Sequence, residues 1–327
     1  MSGSEGTAIQ PVRRLLNALA DGDFQSGEAL AGELGVSRAY LWKLVEQLRE
    51  TGLHVDAVRG RGYRLPAPVE WLDRDAILEA VGRPLDLSVE DEVTSTNQLL
   101  LVEARQATTR PRAMLAERQT AGRGRWGRRW ETPFGSGLAI SLLWPFSGRS
   151  SLAGLSVAVG IALAEGLAEL GVEIGVKWPN DLQVDGAKLG GILIEVVGEA
   201  AGPQRAVIGW GLNVNLPAAV RAAIEQDVTD LYTVLGAPGL ARNRTAGVLI
   251  ARVMAACELF EVEGLTPFLE RWPRWDVLFG ERVTLRLPDG DVEGVAMGVD
   301  ASGALIVEDA GGQRSYFTGE IEMRVRR

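Results

Sequence analysis

Apolar residues return at helical spacing early in the chain. Val12, Leu15, Leu16 and Leu19 share one face and predict a helix over 12–20. Ser26 can cap a second helix over 27–34, and Gly35-Val36 makes a short turn. Ser37 can cap a third helix through Glu50, with Leu41, Leu44, Val45 and Leu48 on its inner face and Thr51-Gly52 at its end. Two alternating runs, 54–58 and 63–65, flank Arg59-Gly-Arg-Gly62 and predict a hairpin. Helix, helix, turn, helix, hairpin is the order of a winged helix-turn-helix.

Pro66-Ala-Pro68 reads as a stiff linker. A helix over 71–81 opens the next region, which mixes strands (113–117, 137–143, 189–197, 206–213) with helices (97–105, 152–170, 245–263). From Asp276 onward the pattern changes to short strands (283–287, 292–299, 304–308, 314–318) separated by Gly and Asp clusters, which predicts a small β-barrel. The expected fold class is α+β. A winged helix-turn-helix occupies 1–66, a mixed-sheet domain 67–275 and an SH3-like barrel 276–327. There is no internal repeat and no low-complexity tract.

Composition narrows the chemistry. Cys257 is the only cysteine, which excludes an internal disulfide and a cysteine metal cluster, and His54, the only histidine, cannot make a metal site alone and lies far in sequence from every motif below. Reactions must run on Lys, Arg, Asp, Asn and backbone groups. No apolar run reaches the length of a bilayer span, and 1–10 lack the features of a signal peptide, so a cytoplasmic protein without membrane attachment is expected. Net charge is −9, against nonspecific nucleic-acid binding by the whole chain. From Ser37 to Arg64, however, six basic residues face three acidic ones. A recognition helix would present Arg38, Ala39, Trp42, Lys43 and Gln47 outward, and the hairpin tip would bring Arg59 and Arg61 to phosphate or the minor groove. A small helical protein-interaction domain would share the same pattern. Lysine is scarce, three against 31 arginines, and Lys177 and Lys188 fall within one short stretch.

Gly122-Arg-Gly-Arg-Trp-Gly127 fits Gly-x-Gly-x-x-Gly, but the Rossmann fingerprint requires a following apolar helix and an acidic residue about 20 positions on. Arg128-Arg-Trp130 follows instead, and no acidic residue lies between Glu131 and Glu165. No Gly-Lys-Ser/Thr ends the loop, so it is not a Walker A motif either. Five arginines fall within residues 118–129 among glycines. Glycine admits an anion close to backbone amides, and arginine forks match phosphate oxygens. A solvated loop or an RNA-binding patch would also carry arginines. Lys177-Trp-Pro-Asn-Asp181 follows, and Asn180 and Asp181 can hold hydroxyls or Mg²⁺. Lys188-Leu-Gly-Gly-Ile192 can aim an ammonium at a carboxylate or an α-phosphate. Ser95-Thr-Asn97 is either a helix cap or a set of ligand donors, and Gly209-Trp-Gly-Leu-Asn-Val-Asn215 ends a strand with two asparagines.

Together, Ser95-Thr-Asn97, Gln119-Thr-Ala-Gly-Arg-Gly-Arg-Trp-Gly127, Lys177-Trp-Pro-Asn-Asp181, Lys188-Leu-Gly-Gly-Ile192 and Gly211-Leu-Asn-Val-Asn215 resemble the bacterial biotin–protein ligases in order and spacing. The N-terminal winged helix is similar to that of the bifunctional class, which also represses biotin biosynthesis genes. The resemblance implies an ATP-dependent biotin–[acetyl-CoA-carboxylase] ligase that forms biotinyl-5′-AMP with Mg²⁺ and transfers biotin to a carrier lysine. It assigns Ser95, Thr96, Asn97 and Gln119 to the ureido ring of biotin, and Arg123, Gly124 and Arg125 to a loop closing over biotin and the adenylate phosphate. Lys188 falls at the biotin carboxylate and α-phosphate, so Arg125 and Lys188 become the catalytic pair. Asn180, Asp181 and Asn213 fall at ATP and Mg²⁺, with Asp181 as metal ligand, and Arg324 at the nucleotide. Trp126 stands where such loops often carry a basic residue, and Ala139 where an aromatic is common.

The implied partners are a biotin carboxyl carrier protein, operator DNA of biotin genes and, with biotinyl-AMP bound, a second copy of the chain. A lipoate ligase, a non-catalytic ligand-sensing repressor and a ligase whose DNA domain no longer represses are the alternatives.

Overall fold

The computed structural model describes residues 5–106, 110–148, 151–198, 202–236 and 241–323. Its first unit is α1 (Glu5–Ala18), α2 (Gly27–Leu34), α3 (Arg38–Glu50), β1 (Asp56–Val58) and β2 (Gly62–Arg64). The expected caps are present. Ser26 Oγ accepts from the Ala29 amide at 3.1 Å and Ser37 Oγ from the Tyr40 amide at 3.2 Å, each stabilising its helix by about 1 kcal/mol. Leu15, Leu16, Leu19, Leu41, Leu44, Val45 and Leu48 are buried together, as their spacing predicted. Helix α1 starts earlier than expected and contains Pro11, whose missing amide removes one intrahelical hydrogen bond.

The next helix also differs from expectation. It is α4 (Arg74–Val81), capped by Asp73, whose carboxylate accepts from the Ala76 amide at 2.8 Å. Trp71 stays outside it. Its indole donates to Leu16 O at 3.2 Å, and its ring joins the core of the N-terminal unit.

The centre is a seven-stranded mixed sheet. In chain order its elements are β3 (Asp86–Val93), α5 (Thr96–Ala104), β4 (Arg112–Gln119), β5 (Gly137–Phe146), α6 (Leu155–Glu169), β6 (Gly175–Lys177), β7 (Asp181–Val184), β8 (Ala187–Gly198) and β9 (Gln204–Asn213). Five helices follow: α7 (Ala218–Ala223), α8 (Leu231–Leu235), α9 (Arg242–Glu263), α10 (Thr266–Leu269) and α11 (Trp272–Trp275). The strand order is β3-β4-β5-β9-β8-β7-β6, with β3 parallel to β4 and every other pair antiparallel.

Alternation along β5 and β9 decides where the site lies. Leu138, Ile140 and Leu142 of β5 and Ile208, Trp210 and Leu212 of β9 join the main core with α6 and α9. Their neighbours Ala139, Ser141, Gly209 and Gly211 therefore face the other side. There α5 covers Met114, Leu143 and Val207 with Leu100 and Ala104 and leaves the rest of that face open. Cys257 is fully buried in α9, where desolvation pushes its thiol up, consistent with packing and not chemistry.

The last unit is an antiparallel sheet of β10 (Arg282–Leu287), β11 (Gly290–Val299), β12 (Leu305–Asp309), β13 (Gly312–Tyr316) and β14 (Glu320–Met323), in the order β13-β12-β11-β10-β14. The Trp178 indole donates to Gly303 O at 2.9 Å and ties this unit to the central sheet. Among the described residues, no helix is long and apolar enough to cross a membrane.

Candidate functional site

The open face of the central sheet carries a cavity of about 200 Å³ that gathers residues from widely separated stretches of chain. Ser95, Thr96 and Asn97, at the start of α5, form one end. Gln119 ends β4 beside them. The glycine–arginine loop, Lys177 to Asp181, Lys188 and the 319–321 segment of the last sheet complete the wall. Six lining side chains are cationic (Arg123, Arg125, Arg128, Arg129, Lys177, Lys188) and two are anionic (Asp181, Glu320). In a chain of net charge −9 that excess marks a site for anions.

The loop folds back on itself after β4. The Gly124 amide donates to Arg128 O at 2.8 Å and the Trp130 amide to Gly122 O at 2.9 Å. A single 3₁₀ turn, Arg125–Gly127, makes the tip. Trp126 sits there with φ 58°, a left-handed conformation unusual for a bulky residue, and is 62% exposed. Trp130 turns inward onto Gly211. A Cβ on Gly211 would lie 2.4 Å from the indole, so only glycine admits the ring against β9.

Arg125 also points inward. It donates to Asn180 Oδ1 at 3.4 Å and to Thr318 Oγ1 at 3.2 Å. Arg128 pairs with Glu320, so the last sheet holds the loop at two points. Burial pulls the Arg125 guanidinium below its ordinary pKa, while the Asp181 and Glu320 carboxylates act in the opposite sense. Its charge is kept at neutral pH, as expected for arginine. Asn180 is itself fixed, its amide donating to Ile192 O at 3.1 Å. Lys188 Nζ lies 2.9 Å from Asp181 Oδ1, with both side chains largely buried. At this end of the cavity Arg125, Arg128 and Lys188 are held by partners before any ligand arrives.

The opposite end is neutral. Gln119 Oε1 accepts from the Thr96 amide at 2.9 Å and lies 3.1 Å from Thr96 Oγ1. Thr96 Oγ1 is 2.7 Å from Ser141 Oγ, which donates to Asn97 Oδ1 at 2.5 Å. Asn97 Nδ2 donates to Leu193 O at 3.2 Å and to Glu195 Oε2 at 3.1 Å. Ser95 is the N-cap of α5.

The cavity thus brings together Ser95, Thr96, Asn97, Gln119, Arg123, Gly124, Arg125, Asn180, Asp181 and Lys188. Two of the expected ligand residues are held by protein groups. Asn97 lines the cavity, but both its amide hydrogens and its carbonyl oxygen are engaged by protein groups. Asn213 donates to Thr229 O at 3.0 Å, is buried, and is not among the described residues lining the cavity. Arg324 lies outside the described residues. The sequence motifs do not single out Ser141 and Glu195. Ser141 and Glu195 did carry a signal, as a lone hydroxyl and a lone carboxylate inside otherwise apolar strands.

In the N-terminal unit Arg38, Ala39, Trp42, Lys43, Gln47, Arg59 and Arg61 are all exposed. Gln47 borders a small cavity with Arg13, Asp91, Glu92 and Phe134, between α3 and the central sheet. The Arg61 guanidinium stacks 4.0 Å over Phe24, with Arg64 at 4.6 Å over the same ring, which partly restrains the wing.

Three family models match the chain: an HTH domain over 12–64, the biotin/lipoate A/B protein ligase family over 90–213 and the biotin protein ligase C-terminal domain over 278–324. The bifunctional ligase/repressor BirA of Salmonella typhimurium is 40% identical over 314 residues, covering 95% of this chain and 96% of that protein. Its counterpart in Escherichia coli is 40% identical over 315 residues, with the same coverage. Among solved structures, the biotin protein ligase of Aquifex aeolicus in complex with biotin and ATP superposes with a TM-score of 0.61 at 26% identity, over 73% of this chain and 98% of that one.

Proposed function

We infer the chemistry from the family: the chain belongs to the biotin–protein ligases, in the bifunctional form that joins a ligase to a DNA-binding repressor domain. Biotin and ATP are its substrates, a carrier lysine is its acceptor, and operator DNA is the partner of its N-terminal domain. The observation that carries the site assignment is the convergence of the five sequence motifs around one cavity, cationic at one end and neutral at the other.

The neutral end, with Ser95, Thr96 and Gln119, holds the ureido ring of biotin, and Asn97 supports it from behind. The biotin carboxylate then reaches the cationic end. There it must attack the α-phosphate of ATP, and two anions repel. Arg123, Arg125 and Lys188 offset that repulsion and stabilise the charge that builds on phosphorus. A carboxylate oxygen bonds to the α-phosphorus as the bond to pyrophosphate breaks, giving biotinyl-5′-AMP. The neutral amine of the carrier lysine attacks the acyl carbon, AMP leaves, and the amine proton passes to solvent. The chain supplies no nucleophile. Its loop shields the mixed anhydride from water.

Mg²⁺ fits this site only as a companion of the phosphates. Among the described residues, no group of three or more His, Cys, Asp or Glu side chains is gathered for a metal. Asp181 offers a single carboxylate beside Asn180, which suits an ion that keeps phosphate and water ligands. Mg²⁺ supplies charge neutralisation on the triphosphate.

We place domain boundaries after residues 66 and 275: the N-terminal cluster is distinct from the main core, although Trp71 and Phe134 also pack into it, and the antiparallel sheet begins with β10. For regulation, biotinyl-AMP fixes the glycine–arginine loop, favours a homodimer and so sets two winged helices on a palindromic site. Footprinting upstream of biotin genes tests this step. Protection that needs biotinyl-AMP supports it, and equal protection without the adenylate rejects it.

The test of the ligase reading is transfer of labelled biotin to a biotin-accepting carrier domain with ATP and Mg²⁺. Labelled lipoate should not be transferred. Lipoate transfer in place of biotin would overturn the substrate.

A further inference from the structure

The neutral end of the cavity has a direction built into it. Asn97 Nδ2 faces two groups that only accept, Leu193 O at 3.2 Å and Glu195 Oε2 at 3.1 Å. The amide can therefore lie only one way round, with Oδ1 toward Ser141. Ser141 gives its single proton to that oxygen at 2.5 Å. Its lone pairs are then left for Thr96 Oγ1 at 2.7 Å. The proton of Thr96 has two acceptors inside the protein, Ser141 Oγ and Gln119 Oε1, and none remains to point outward. Thr96 accordingly meets a ligand as an acceptor. Gln119 has its oxygen occupied by the Thr96 amide, so it offers its NH₂ group as donor.

We propose that Ser141 and Glu195 are positioning residues which, through Asn97, set the hydrogen-bond polarity of Thr96, while the Thr96 amide orients Gln119, and that the pair so set selects a cyclic urea. A urea ring carries N–H and C=O side by side. The N–H finds the Thr96 oxygen, and the C=O finds the Gln119 amide. The dithiolane ring of lipoate offers neither group. The inference rests on the placement of biotin given above.

Two features of the structure support the relay as built. Gly209 stands opposite Ser141 and Leu193 across the strands. A Cβ there would fall 2.2 Å from Asn97 Oδ1, so the strand leaves space for the amide. The residues lie on four elements, α5, β4, β5 and β8, so the polarity is fixed by the assembled sheet and not by one loop.

The test uses the full-length protein with ATP, Mg²⁺, biotin and a carrier domain. Ser141→Ala should raise the KM for biotin about tenfold, the scale of one buried hydrogen bond left unmade. Its kcat and KM for ATP should stay within about twofold of wild type. Asn97→Asp sets a carboxylate against Glu195 and should raise the biotin KM further, since like charges now face each other. Adding Glu195→Gln returns an amide–carboxylate pair across the contact and should recover part of that loss. Matching thermal midpoints separate these effects from misfolding.

Unchanged biotin KM in both single variants would overturn the proposal, as would parallel losses in ATP KM and kcat. Thr96→Val and Gln119→Leu separate the two levels. If they raise the biotin KM while the relay variants do not, only the relay fails. If they too leave it unchanged, the placement of biotin fails with it.

Discussion

The two ends of the cavity solve opposite problems. At one end cations are held in place before the ligand arrives, by Asp181, Asn180, Thr318 and Glu320. At the other a chain of neutral groups is oriented by internal hydrogen bonds and ends on one carboxylate, Glu195. Charge acts over distance and tolerates some looseness. A neutral hydrogen bond requires the right atom at the right angle. The cationic end can thus stand on a glycine-rich loop, while the neutral end is built on helix and sheet. The cationic end should govern the chemical step, and the neutral end which acid enters.

The sharpest way to break this division is at the cationic end. Lys188→Ala or Arg125→Ala should slow adenylate formation about 100-fold or more, as for loss of a charge-stabilising donor. The thermal midpoint should move little, and pyrophosphate release with saturating biotin and ATP measures the rate.

Gly209→Ala comes next. Its methyl would overlap Asn97 Oδ1. The biotin KM should rise at least about tenfold with a smaller change in kcat. An equal fall in kcat would show that the two ends are not separable.

Salt should sharpen the contrast by a smaller factor. Raising KCl should increase the KM for ATP several-fold, because its triphosphate meets partly solvated arginines, and the biotin KM less.

The smallest effect on catalysis is expected from the wing. Arg59→Ala with Arg61→Ala should leave biotin transfer unchanged and lower the salt slope of operator binding by about 1 to 2. Because Arg61 also stacks on Phe24, its share of that change should be the smaller one.

The same contrast explains what could be read from the sequence. The cationic end is written in two contiguous motifs, a loop that carries Arg123 and Arg125 and a hairpin that carries Asp181 and Lys188. The winged-helix pattern was legible for the same reason: its caps and apolar spacing are local. The neutral end was only half visible. Thr96 and Gln119 stood out, but Ser141 and Glu195 reach them through strand pairing across β5, β9 and β8, which no local pattern reveals. A helix-start asparagine such as Asn97 reads the same in the sequence whether it faces substrate or protein.

Strands were missed where burial is weak. β3, with the acidic run Glu90-Asp-Glu92, is an edge strand whose side chains are mostly half-buried or exposed, so it lacks an apolar alternation. β6 and β7 are too short to show a period.

The most direct test is a single-turnover measurement of pyrophosphate release on mixing the enzyme with biotin and ATP, in wild type and in Lys188→Ala. The predicted result is one equivalent released rapidly per wild-type site, and release slowed about 100-fold in the variant even at saturating biotin. Release at the wild-type rate from a folded Lys188→Ala protein would contradict the assignment of the chemical step to the cationic end.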